Sequence, residues 1–164
     1  MSIAAVLSWL DHRDFAVAIA QSEWAFPIIE TVHVFAISVV VGSIWIIDVR
    51  LAGLSAVQRP VSQLIAAVLP WTWIAFGVAA CAGGLLFSSK ASLYADNPAF
   101  RVKLVLLGLA GMNMLTFHLV TARTITSWER SVPPWPARSA GLLSLALWIA
   151  VVAAGRWTGY FAGG

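Results

Sequence analysis

Four stretches of this chain are long enough to cross a bilayer and carry few charges: residues 24–47, 64–87, 103–125 and 141–161. A hydrocarbon core about 30 Å thick takes roughly 20 helical residues. In lipid, every backbone N–H and C=O must pair within its own segment unless a barrel closes. The sequence therefore predicts an all-α integral membrane protein, a four-helix bundle forming one transmembrane domain over residues 1–164. Composition agrees. Charged residues make up 10% of the chain, against about 25% in a soluble domain, and mean hydropathy is +0.87. Several tryptophans stand at or near segment ends (Trp24, Trp45, Trp71, Trp128, Trp157), as an aromatic belt at the headgroups requires. The pI is 9.6. The Lys and Arg residues are nonetheless scattered singly, which suits contact with membrane lipid and excludes a nucleic-acid-binding patch.

The N-terminal MSIAAVLSWLDHRD has no basic region ahead of its apolar run and no small-residue cleavage site, so it is not read as a signal peptide. Residues 8–22 mix Asp11, His12, Arg13 and Asp14 with Trp9, Leu10, Phe15, Val17 and Ile19, and predict one amphipathic helix lying in the interface. Asn97-Pro98 reads as a helix N-cap with proline at the first helical position, and Pro27 can do the same for the first span. Pro70 lies inside the second span and predicts a kink. Gly83, Gly84, Gly108 and Gly111 predict close helix approach. Cys81 is the lone cysteine and forms no intrachain disulfide.

Four spans put both termini on one side. The loops after spans one and three carry Arg50, Arg59, Arg123, Arg130 and Arg138; the other face carries Arg13, Lys90, Arg101, Lys103 and Arg156. Setting aside Lys103 and Arg156, which fall at or within spans, the arginine-rich loops are cytoplasmic and the termini periplasmic.

Two histidines, His33 and His118, sit inside the apolar stretches. An ionisable group there is costly, faces the bundle interior and marks a functional site by default. Imidazole is a common metal ligand and a usual axial ligand of haem iron. With upright helices the two rings differ by about 10 Å in depth, which tilt only partly removes. Met112 lies nearer the depth of His33 and is an alternative axial ligand. Met112, Met114 and His118 also form a soft donor set suited to copper(I). Each has a plainer reading: a hydrogen-bonded core histidine, or methionines filling gaps.

A polar cluster is expected at the N-terminal face of the bundle. Glu30 and His33 share a helix face, Lys103 enters span three there, and Arg156 falls near that level in the antiparallel span four. The two cations suit the propionates of a haem; the plainer reading is an internal ion pair of Glu30 with Lys103 or Arg156. Asp48 and Arg50 read as interfacial anchors or a local ion pair.

The stretch HVFAISVVVGSIWIIDVRLAGL carries His33, Gly42, Asp48, Arg50, Leu51 and Gly53, and FRVKLVLLGL opens span three. Together they resemble four-helix bacterial inner-membrane proteins related to HemJ and to the membrane domain of CopD, over roughly 45 residues. The resemblance implies haem b, with the first-helix histidine and third-helix lysine of the HemJ pattern falling on His33 and Lys103. The CopD side implies copper handling. The expected function is thus a haem b-binding membrane protein in electron transfer, with quinone or a larger membrane complex as partner. In it His33 is the axial ligand, His118 or Met112 the second ligand, and Lys103 and Arg156 hold the propionates. The alternatives are a copper-handling protein using His33, His118, Met112 and Met114, or a cofactor-free accessory subunit.

Overall fold

A computed structural model describes residues 2–54, 60–128 and 131–162. Arg59 and Arg130, two of the loop cations above, lie outside the described residues. All regular structure among the described residues is helical. Two short helices, α1 (Ile3–Asp11) and α2 (Asp14–Gln21), precede four long ones. These are α3 (Ala25–Leu51), α4 (Val61–Ser89), α6 (Pro98–Trp128) and α7 (Trp135–Ala162), with a one-turn-and-a-half helix α5 (Ala91–Asp96) between α4 and α6. The long helices are apolar enough to cross a membrane, with mean hydropathies of 1.7 to 2.1 over their most apolar windows. The protein is a multi-pass membrane helical bundle.

Local chemistry sets the helix ends. The Asn97 side chain accepts from the Ala99 and Phe100 N–H groups at 2.9 and 3.3 Å, and Pro98 occupies the first helical position. Its amide nitrogen also donates to the Thr158 carbonyl at 3.1 Å, tying the start of α6 to the end of α7. Gly53 ends α3 with φ +77°, a left-handed conformation that favours glycine. Pro70 lies inside α4 without ending it. The N-terminal region differs from expectation. The single interfacial helix is two helices, broken at His12–Arg13, because Asp11 is used elsewhere: its carboxylate caps α5 through the Ala91 and Ser92 N–H groups. The chain turns there, and α2 runs along α4 with Ala16 fully buried.

The long helices pack in the order α4–α3–α7–α6. The remaining side, α4 against α6, has no comparable close packing. There the two helices meet at their ends, and at one of these Phe87 stacks on Phe100 at 5.4 Å between ring centroids. At the other end Leu51, Val61, Phe117, Trp128 and Ala137 form the buried apolar cluster. Trp128 is thus a core residue rather than part of the aromatic belt, its indole N–H donating to Thr124 Oγ1 at 3.2 Å. Trp24, Trp71 and Trp157 are exposed, as lipid-facing or headgroup residues are. Gly141 lets α7 approach α3: a Cβ there would lie 2.8 Å from the Asp48 carbonyl oxygen. Of the glycines expected to allow close approach, only Gly83 does so; at Gly84, Gly108 and Gly111 a Cβ would meet nothing within 4 Å.

Candidate functional site

His33 occupies a seat built from α4. Its Nδ1 lies 2.8 Å from the Ala79 carbonyl oxygen. A carbonyl only accepts, so Nδ1 carries the proton and Nε2 keeps a free lone pair. The ring lies against Gly83, where a Cβ would come within 2.7 Å of Cε1. Any other residue at position 83 would push the imidazole out of place. The sequence contained the glycine, but nothing in it tied that glycine to a histidine fifty residues earlier.

Lys103 and Glu30 are close enough to His33 to act on it electrostatically. Lys103 is half-buried, and its chain and ammonium run along Gly155, 3.8 Å from where a Cβ would sit. The absent side chain leaves the lysine room to lie inward across α7. Glu30 is exposed and faces the α5 loop, where it and burial raise the phenol of Tyr94 above its ordinary range, burial contributing more. The expected ion pair of Glu30 with Lys103 or Arg156 is not made. Among the described residues the ion pair within 4 Å is Arg101 with Asp96, and Arg156 is exposed. His33 therefore lies within electrostatic reach of the half-buried Lys103 and of the exposed Glu30, and Arg156 stays on the surface.

His118 lies elsewhere. A wider π-type turn interrupts α6 at Phe117–Thr121, a distortion that often marks functional positions. His118 stands on this turn, its Nδ1 2.9 Å from the Met114 carbonyl of its own helix. It opens on a cavity of about 260 Å³ enclosed by all four long helices, and His33 is not among the residues lining that cavity. Met112 is 64% exposed on the surface of α6. Neither of the second axial ligands expected from the sequence is brought to His33. The copper donor set also divides, since Met114 and His118 line the cavity while His33 and Met112 do not. Among the described residues no three His, Cys, Asp or Glu side chains converge as a metal cluster.

The cavity contains a residue that sequence reasoning misjudged. Asp48 is 5% exposed and lines the cavity, with the Ser144 hydroxyl donating toward its carboxyl and its Oδ2 without a hydrogen-bond partner. It is neither an interfacial anchor nor paired with Arg50, two residues on, which does not share its face. No local signal marks it, because α3 is apolar on all sides and only its packing shows which stripe turns inward. Asp48 stands four residues after Ile44 and eight after Val40, in the stripe that α3 turns inward.

A family of unknown function, DUF6644, matches residues 24–161. The chain belongs to this family. The match covers the four long helices and both polar regions, and leaves α1 and α2 outside it. No curated protein matches the chain, and no solved structure matches it.

Proposed function

We propose that this DUF6644 protein binds haem b and works in electron transfer in the bacterial inner membrane, with His33 as the axial ligand. The observation that carries the reading is the set of the His33 ring. Its Nδ1–H is spent on the Ala79 carbonyl, its flank rests on Gly83, and Nε2 is left free. A carbonyl on one ring nitrogen is how ligating histidines are held in one tautomer and orientation. The pairing of His33 with Lys103 in space also agrees with the resemblance to HemJ-like proteins. Haem b, when bound, supplies a one-electron carrier. His33 orients and holds it, Lys103 offers an inward cation to a propionate, and Arg156 offers a second at the surface of the same face. Quinone or a larger membrane complex is the partner this reading calls for, and the termini are periplasmic in it.

An absorption spectrum of the purified protein with metal analysis tests the proposal. The expected result is a Soret band in the wild type. His33→Ala is expected to lose at least nine-tenths of the haem while keeping its far-UV circular dichroism. Full haem occupancy in that variant removes the ligand assignment. A colourless wild type with stoichiometric copper supports CopD-like handling instead, and one with neither supports an accessory subunit.

A further inference from the structure

The cavity around Asp48 has a buried carboxylate oxygen left over. Four side chains on its wall commit a donor inside the protein. The Asn113 amide donates to the Ala140 carbonyl at 3.0 Å, and the Thr72 hydroxyl to the Val68 carbonyl at 3.1 Å. The Nδ1–H of His118 goes to Met114, and the Ser144 hydroxyl to Asp48 itself. What remains buried without a partner is one acceptor, Asp48 Oδ2; His118 Nε2 is a second acceptor on the wall, and the indole N–H groups of Trp73 and Trp148 are its uncommitted donors. An unpaired carboxylate away from water is costly, and among the described residues no Lys or Arg lines the cavity to balance it. The molecule that completes this site must bring hydrogen-bond donors, and one positive charge compensates Asp48.

The rest of the wall says what the donor is attached to. It is apolar, and two indoles, Trp73 and Trp148, stand on it. Aromatic faces attract a desolvated cation. A volume of about 260 Å³ holds about nine non-hydrogen atoms, taking ~30 Å³ for each water-sized group. Trp73, Phe76 and Met114 line the cavity and are still 40 to 52% exposed toward the bilayer. They stand on α4 and α6, the side where the helices are not packed together. The wall is thin there, on the side where a lipophilic molecule in the membrane would reach it.

We propose that the cavity between α3, α4, α6 and α7 is a binding site for a small lipophilic amine in its monocationic form, with Asp48 as its counter-ion. The site lies apart from His33 and does not depend on haem.

The test is equilibrium dialysis of radiolabelled 2-phenylethylamine against the full chain in lipid nanodiscs at neutral pH, with 2-phenylethanol as the neutral isostere. The expected result is saturable binding of one amine per chain, and binding of the alcohol at least tenfold weaker. Asp48→Asn is expected to weaken amine binding at least tenfold. Gly111→Leu provides a second arm that leaves the carboxylate in place. Gly111 lines the cavity, and a Cβ there meets nothing within 4 Å, so the larger side chain is expected to take cavity volume and weaken amine binding. The proposal is overturned if the wild type shows no saturable binding. It is equally overturned if the alcohol binds as tightly as the amine, or if Asp48→Asn keeps wild-type affinity.

Discussion

Gly83 and Gly84 are adjacent on α4, yet alanine at the two positions should move stability in opposite directions. At Gly84 a Cβ meets nothing within 4 Å. Alanine there gains helix propensity, up to about 1 kcal/mol. At Gly83 the Cβ would lie 2.7 Å from His33 Cε1 and 3.2 Å from Nδ1. The ring must swing away, and the hydrogen bond of 2.8 Å to Ala79 goes with it. Overpacking costs about 1–3 kcal/mol, and the lost hydrogen bond about 0.5–1.5 kcal/mol. Set against the propensity gain, Gly83→Ala should destabilise by roughly 1–3 kcal/mol, while Gly84→Ala is neutral or stabilising. Denaturant titration of both variants in mixed micelles, followed by circular dichroism, measures the difference. On the proposed function, haem retention should fall with Gly83→Ala and not with Gly84→Ala. If the two alanines behave alike, Gly83 is not the seat of His33 and the argument for a held imidazole fails.

His118→Ala should leave haem retention at the wild-type level, because His118 opens on the Asp48 cavity, which His33 does not line; loss of haem comparable to that of His33→Ala in the same spectra would contradict the separation of the two rings. Gly141→Ala should destabilise by about 1–3 kcal/mol, since its Cβ would press on backbone at Asp48 and Ala52. Gly159→Ala, with nothing within 4 Å of its Cβ, is the matched control in the same titration. Asn97→Ala removes the α6 cap and the tie to Thr158, at about 0.5–2 kcal/mol, and hydrogen exchange should quicken at the start of α6. Burial pushes the Asp11 carboxyl up, but hydrogen bonds from Ser92 and Ala91 and the neighbouring His12 outweigh it and hold the group below its ordinary value. Folding then favours the ionised form. The α1–α5 contact should be firm above about pH 4 and weaken as pH falls through the lower folded value. Asp11→Asn should abolish that dependence in hydrogen exchange of α5.

The spans, their antiparallel order and the Asn97 cap were legible in the sequence because each rests on local chemistry. Lipid makes an apolar run of sufficient length helical whatever its neighbours do, and a cap acts within three residues. Placing His33 and Lys103 on one face was equally legible, since helix direction and a rise of about 1.5 Å per residue set their depth. Tertiary structure alone decided which histidine has a seat. The resemblance and the nearby Glu30 single out position 33 over 118, but neither says that a seat is built for its ring. The difference is a glycine and a carbonyl on α4, brought alongside by the α3–α4 packing. The same holds for Asp48, which reads as a charged helix end until Gly141 draws α7 against α3 and Ser144 up to its carboxyl. Hydropathy fixes how deep a residue lies in the membrane. Its azimuth, and so whether it faces lipid, a partner helix or a cavity, depends on side chains meeting from segments far apart in the sequence.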